Sequence, residues 1–242
     1  MRGYVGRAVL DLFIPRLCVV CGRSLSLRED HICLDCLADL PRTYYSKLSR
    51  NRMADRLNGL IQRDLEEPEP YSYATALFYY RASTGYRDIT KDLKYRGNIA
   101  SGRYFSEMLA SEMVDSELFS DIDTVIPVPL HWTRRWSRGY NQAEVIGEVL
   151  ARRFGASLRP DVLCRHRRTK TQTRLSIEGK VSNVVGAFRL RRRADLTGAS
   201  HILLVDDVFT TGATLCSCQK TLRGAVGPKV RISVATLACV GD

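Results

Sequence analysis

No stretch of this 242-residue chain approaches the ~18–20 consecutive apolar residues needed to cross a bilayer, so no membrane span is expected. The opening MRGYVGRAVLDLFIPRLC joins a basic end to an apolar patch. Asp11 breaks that patch and no small-residue cleavage site follows it, which argues against a secretion signal. Val5, Val9, Leu12 and Phe13 instead share one side of a short amphipathic helix. The expectation is a cytoplasmic protein with reduced thiols. Internal repeats and low-complexity tracts are also missing. So are a Walker GxxxxGK[ST] loop and a GxGxxG after a strand, which excludes two common nucleotide fingerprints.

Acidic residues are scarce. The chain has 26 Asp and Glu against 37 Lys and Arg, for a net charge of +11, and so an anionic partner is expected. The surplus is local. His131–Arg193 holds 14 arginines and two lysines against four acids. A solvated basic face and a phosphate-binding surface would both leave this footprint.

Four of the eight cysteines fall within Cys18–Cys36, as Cys18-Val-Val-Cys21 and Cys33-Leu-Asp-Cys36. Two CxxC turns that each present two thiolates fit a tetrahedral Zn²⁺ site, with Gly22 in the tight turn after Cys21. The alternatives are a redox CxxC and a ligand role for nearby His31. About forty residues bury little core, so the metal's role would be structural. Cys164, Cys216, Cys218 and Cys239 lack ligand spacing and read as ordinary core or surface thiols.

After the cysteines, Ser46–Pro70 reads as a polar linker with a short helix around Met53–Leu65. From there the pattern alternates. Strands are expected at Ala74–Tyr80, Thr124–Val128, Val184–Leu190, Ile202–Val205 and Val230–Ala238. Helices are expected at Tyr86–Tyr95, Arg103–Leu118, Asn141–Phe154 and Gly212–Arg223. This order predicts an α/β fold with a mostly parallel sheet flanked by helices. The expected organisation is a four-cysteine module over 1–45, a linker over 46–70 and an α/β domain over 71–242.

The buried run Ile202–Val205 leads into Asp206-Asp207-Val208-Phe209-Thr210-Thr211-Gly212-Ala213-Thr214 just where a helix starts. Unpaired backbone N–H groups and the helix dipole there favour an anion. Gly212 and Ala213 allow close backbone approach, and Thr210, Thr211 and Thr214 add hydroxyl donors, which suits a phosphate. Carboxylates repel phosphate, so Asp206 and Asp207 should face sugar hydroxyls. Both reach one ribose only if the strand has ended at Asp206, because adjacent strand residues point to opposite faces.

These residues resemble the phosphoribosyl diphosphate (PRPP) motif of type I phosphoribosyltransferases. Other segments narrow the resemblance to the ComF (competence protein F) family. They are Leu93-Lys94-Tyr95-Arg96-Gly97, Ile126-Pro-Val-Pro-Leu130 with Arg138-Gly-Tyr-Asn-Gln142, Arg168-Thr-Lys-Thr-Gln172 and Asn183-Val-Val-Gly-Ala-Phe188. Many members carry a second cysteine-rich pair. Here Tyr44–Tyr73 has no cysteine, which leaves one such site. The resemblance implies the type I phosphoribosyltransferase fold, with PRPP and Mg²⁺ as ligands. It implies a pyrophosphate-side loop at Leu130 and His131, with Arg138 and Asn141 just beyond. It further implies a closing loop over Arg165–Gly179, in which Arg168 and Lys170 neutralise the leaving pyrophosphate.

Two functions follow. One is a Mg²⁺-dependent phosphoribosyltransferase with an unidentified acceptor, linked to DNA uptake or nucleotide salvage. The other is a non-catalytic PRPP sensor that binds single-stranded DNA and other competence proteins. Trp132, Trp136 and Tyr140 would stack on bases in the second case, although core or inter-domain packing is the expected role of these aromatics.

Overall fold

A computed structural model describes residues 15–63, 67–81, 83–166 and 186–241. The expected N-terminal amphipathic helix, Arg168 and Lys170 lie outside these residues.

Parallel β-strands need long crossover connections, and the helices that make them cover both faces of the sheet. This chain follows that rule. Five strands pair in the order β1-β7-β6-β2-β3, every pair parallel: β1 (Ala74–Tyr80), β2 (Thr124–Pro127), β3 (Ser157–Leu158), β6 (His201–Phe209) and β7 (Arg231–Val240). Ile202–Val205 lies in the middle, fully buried, as an apolar strand covered on both faces must be. One face carries α2 (Arg52–Gln62) and α7 (Ala213–Arg223), and the other α3 (Arg87–Tyr95), α4 (Ile99–Val114) and α6 (Gln142–Phe154). The expected α/β architecture is therefore present.

Three details differ from the sequence expectation. Within the strand expected over Val184–Leu190, the described residues hold β5 (Phe188–Leu190). It pairs antiparallel with β4 (Leu163–Arg165) in a separate two-stranded ribbon. Residues 46–70 hold more structure than a polar linker. Met53, Ala54, Leu57 and Ile61 of α2 fall on one helical face and pack into the sheet's core. Asn51 caps this helix, accepting from the Ala54 N–H at 2.9 Å, and donates to the Ala74 carbonyl at 3.0 Å, which ties α2 to β1. Lastly, Trp132–Arg138 forms a helix of its own, α5, with His131 as its N-cap.

The four-cysteine segment is docked on this body. Cys18, Leu25, Ile32, Cys33 and Leu40 share a core with Leu77, Ile89 and Phe105. A side chain at Gly85 would run into the Val20 carbonyl oxygen, so glycine is what permits the close approach of the two backbones. Tyr86 O–H donates to the Cys36 carbonyl at 3.1 Å, and Arg42 pairs with Glu112 at 2.5 Å. Among the described residues, no helix is long and apolar enough to cross a membrane.

Candidate functional site

The strand order reverses between β6 and β2. From β2 the chain runs through α6 to β3 on one side, and from β6 through α7 to β7 on the other. The two following helices lie on opposite faces, so their loops part and leave a crevice at the carboxyl ends of the strands. Ligands of open α/β sheets bind at such points. Pairing between β6 and β2 stops at Val205–Pro127, with one further bond from the Val128 N–H to the Val205 carbonyl at 2.8 Å. From Asp206 onward, the β2-side edge of β6 has passed the last β2 partner. The crevice is therefore bounded by the two segments that the sequence marked, Asp206–Thr214 and Leu130–Arg138.

Strand β6 does not end at Asp206. Its ladder with β7 continues through Asp206–Thr236, Val208–Ala238 and Phe209–Cys239. This corrects the expectation of an early strand end: β7 runs on to Val240 and supplies partners for the extra residues. Asp206 and Asp207 consequently alternate between the two faces. Asp207 meets Lys94 of α3, with Nζ–Oδ2 at 2.7 Å, and its side chain is only 8% exposed. Burial is the largest influence on Lys94 and lowers its pKa, but Asp207, with Asp206 and Tyr95 behind it, makes the net shift upward. Asp206 lies on the α7 face. Burial, with the Asp207 charge behind it, pushes its carboxyl pKa up against the pull of Lys94 and Arg165. Arg165 is shifted down by burial and by nearby Arg134, with Asp206 opposing, and its guanidinium sits 5.3 Å from the Phe188 ring.

Thr210 is exposed, while Thr211 and Thr214 are half-buried at the start of α7. Gly212 is the N-cap and supplies no side-chain cap, so nothing from the cap residue covers the first turn of the helix. Its φ is +83°, and a Cβ there would lie 2.7 Å from the Phe209 ring, so both conformation and space require glycine. Ala213 is buried beneath this turn, its N–H 3.4 Å from Thr211 Oγ1. A half-open helix N-terminus with three hydroxyls beside two carboxylates can hold an anion and, next to it, hydroxyl groups or a divalent cation.

On the opposite wall Leu130 is half-buried. His131 is buried, its Nδ1 2.9 Å from Thr133 Oγ1. Arg138 lies over the Tyr95 ring at 5.4 Å, which brings it beside the end of the helix that carries Lys94. Tyr140 O–H also donates to the Leu93 carbonyl, locking α3 to the turn before α6. Asn141 turns inward instead of toward a ligand. It caps α6 by accepting from the Ala143 N–H at 3.2 Å and donates to the Val128 carbonyl at 3.0 Å. Trp132 and Trp136 are 69% and 87% exposed, so the packing role expected for them is not what the structure has.

Sequence reasoning missed Lys94 as a site residue. Its segment, Leu93–Gly97, stands out in the sequence only for its family resemblance. The one local signal is a lysine in the last turn of a helix, which normally indicates nothing more than a favourable dipole contact.

The four-cysteine site assembles as its spacing suggests. The Sγ atoms of Cys18, Cys21, Cys33 and Cys36 all lie within 4.8 Å of one another. Tetrahedral bonds of ~2.3 Å to Zn²⁺ would separate sulfurs by roughly 3.8 Å, and the Cys21 and Cys33 sulfurs are 3.7 Å apart. Burial opposes ionisation of Cys18, yet backbone N–H groups of Cys21, Cys33 and Val20 aimed at its sulfur hold its pKa at about 7. The Gly22 turn has φ +76°, and its N–H donates to the Cys18 carbonyl at 2.9 Å. Glu29 clamps the loop from inside. It accepts from the Ser26 and Leu34 N–H groups at 2.7 and 2.8 Å, and these bonds depress its pKa to about 2. His31 stands outside the cluster, its ring 5.6 Å from that of Tyr104.

These features define an α/β protein with a carboxyl-edge crevice between oppositely wound halves and a four-cysteine cluster fit for a metal ion. No protein-family model matches the chain. Individual relatives do. DNA utilization protein YhgH of Escherichia coli strain K12 is 28% identical over 234 residues, covering 93% of this chain and 100% of the relative. Competence protein F of Haemophilus influenzae is 38% identical over 101 residues, 42% of this chain and 44% of that protein. Competence protein ComFC of Bacillus subtilis is 27% identical over 217 residues, 88% of this chain and 73% of that protein. The chain is thus a homologue of the YhgH proteins and of ComFC over most of its length, and of competence protein F over less than half of it, as the ComF resemblance implied.

Proposed function

We propose that this protein binds PRPP with Mg²⁺ in the β6–β2 crevice and acts as a phosphoribosyltransferase on an acceptor linked to the use of DNA. The observation that carries this reading is the position of the Asp206–Thr214 loop at the switch point of the sheet, with a glycine-capped helix N-terminus on its far side. The 5′-phosphate would lie against Thr210, Thr211, Gly212, Ala213 and Thr214. Asp206 and Asp207, one toward each face, would take the ribose hydroxyls, with Lys94 fixing the Asp207 carboxylate in place through their 2.7 Å ion pair. Leu130, His131 and Arg138 would border the diphosphate. Mg²⁺, drawn by the two carboxylates and the diphosphate, would supply charge neutralisation. Arg168 and Lys170, outside the described residues, would neutralise the leaving diphosphate. The link to DNA comes from the names of the relatives, DNA utilization protein and competence protein. Zn²⁺ is the metal proposed for Cys18, Cys21, Cys33 and Cys36. The chain then divides into a zinc module (1–45), a join (46–70) whose helix α2 lies on the sheet, and the transferase domain (71–242).

Titration calorimetry with PRPP and Mg²⁺ tests the main reading. Asp206→Ala/Asp207→Ala should weaken PRPP at least tenfold; equal affinity in the variant would refute the assignment.

One observation favours a second reading, in which the protein binds single-stranded DNA without turnover. Exposed Trp132 and Trp136 share α5 with Arg134, Arg135 and Arg138, a pairing of aromatic faces and cations suited to unpaired bases and phosphates. It is tested by titrating an oligonucleotide at several salt concentrations.

A further inference from the structure

A second cavity of about 310 Å³ opens at the same carboxyl edge, on the β1–β7 side of the crevice. Helix α2 forms one wall through Arg52 and Arg56. Tyr79 and Arg81 come from the end of β1, and Tyr45 and Phe209 complete the lining used here. Three guanidiniums thus border one small space, and the described lining residues include no Asp or Glu.

The neutral groups are arranged as donors as well. Tyr79 O–H donates to the Tyr45 oxygen at 3.0 Å, so the Tyr45 O–H is available to donate elsewhere. Burial, then the contact with Tyr79, raises the Tyr45 pKa, so that phenol keeps its proton at any physiological pH. A lining rich in donors and cations complements a ligand rich in acceptors. Guanidinium forks match the planar geometry of carboxylate and the oxygens of phosphate. The half-buried Tyr79 ring supplies apolar surface for a ring system, and the buried Phe209 ring backs the cavity. At this volume, near the lower end of the ~300–1,000 Å³ typical of ligand pockets, the occupant must be small.

Phe209 links the cavity to the crevice. The ring that lines the cavity is also the ring that a Cβ on Gly212 would strike at 2.7 Å. The cavity and the Thr210–Thr214 loop therefore stand back to back across one aromatic side chain.

We propose that this cavity binds a small planar organic anion, a ring bearing a carboxylate or a phosphate, held by Arg52, Arg56 and Arg81. As the place of the second ligand of a phosphoribosyl site it rests on the function proposed above; as an anion cavity it stands alone.

The test uses the full chain and three probes: benzoate, phenyl phosphate and uncharged benzamide, with binding followed by ligand-observed NMR. Both anions should bind at least tenfold more tightly than benzamide. Arg52→Gln/Arg56→Gln, and separately Arg81→Gln at the exposed end of β1, should each weaken both anions at least tenfold, with thermal melting used to verify folding. The proposal is overturned by absence of anion binding, by equal binding of benzamide, or by anion affinities that ignore the arginine substitutions. PRPP titration of the wild type separates the two ideas. If PRPP fails to bind while benzoate still depends on the arginines, the phosphoribosyl reading falls and the anion cavity stands. If PRPP binds but benzoate ignores the arginines, the cavity proposal alone falls.

Discussion

His201 begins the central strand and is fully buried, with Nδ1 2.7 Å from Asp121 and Nε2 2.7 Å from Ser233 Oγ. Burial lowers its pKa to about 4, outweighing the Asp123 carboxylate. The unfolded chain, with an ordinary histidine pKa near 6.5, takes up this proton first as pH falls. His201 therefore contributes stability that is complete above pH ~6.5 and is lost as pH drops toward 4, about 2 kcal/mol between pH 7 and 5. Urea unfolding at these two pH values should show that difference for the wild type and a smaller one for His201→Gln; parallel losses in both proteins would remove the argument. Among single residues, those of the Asp206–Thr214 loop are the most legible as a candidate site. Asp206, Asp207 and Gly212 follow one another in a pattern that few other chemistries explain. Lys94 was not legible, because its meaning comes from Asp207, which lies on an element more than a hundred residues away.

At the scale of elements, the cysteine module shows how little apolar burial a short segment can muster. Its knuckle is held by Glu29 and by N–H groups directed at sulfur, such as Cys33 N–H to Cys18 Sγ at 3.4 Å. A metal ion would supply the remaining cohesion, since metal binding in such modules contributes directly to folding. The purified protein should carry about one zinc per chain by elemental analysis. Chelation, or Cys33→Ser, should lower the melting temperature by roughly 5–10 °C. A zinc-free protein whose melting ignores chelator would exclude the assignment. The CxxC spacing announced this element plainly. Helix α2 is legible as a helix, Arg52–Gln62 against the expected Met53–Leu65, but its place on the sheet is not. Arg52, Asp55 and Gln62 lie on its solvent side, and its four core residues show their purpose only against β1 and α7.

Charge acts over the whole molecule. The Arg-rich half of the sequence is not all free surface: Arg135 pairs with Glu144 at 2.7 Å, and Arg159 pairs with Asp161 at 3.1 Å. What distinguishes α5 is the two exposed tryptophans set among its arginines. If single-stranded DNA binds there, affinity should fall steeply with salt. Arg134→Ala/Arg138→Ala should reduce the slope of log K against log salt by about 1.4, since each phosphate contact on a single strand contributes roughly 0.7. Trp132→Ala/Trp136→Ala should weaken binding with the slope unchanged, because stacking releases no counterions. Weak binding that salt does not alter would dismiss the DNA reading.

The sequence by itself determined the alternation of strands and helices, the pairing of the four clustered cysteines and the composition of the Asp206–Thr214 loop. These are local facts, written in periodicity, in short spacings and in residue types that tolerate few other roles. Only the tertiary structure decided how far β6 runs, because a strand lasts as long as a neighbour supplies hydrogen bonds, and β7 supplies them to Phe209. That extension set Asp206 and Asp207 on opposite faces and brought Lys94 to one of them. The structure likewise decided that Asn141 faces inward while Trp132 and Trp136 face solvent. Polar residues and aromatics are compatible with either side of a protein, and the choice rests on what the rest of the chain places against them.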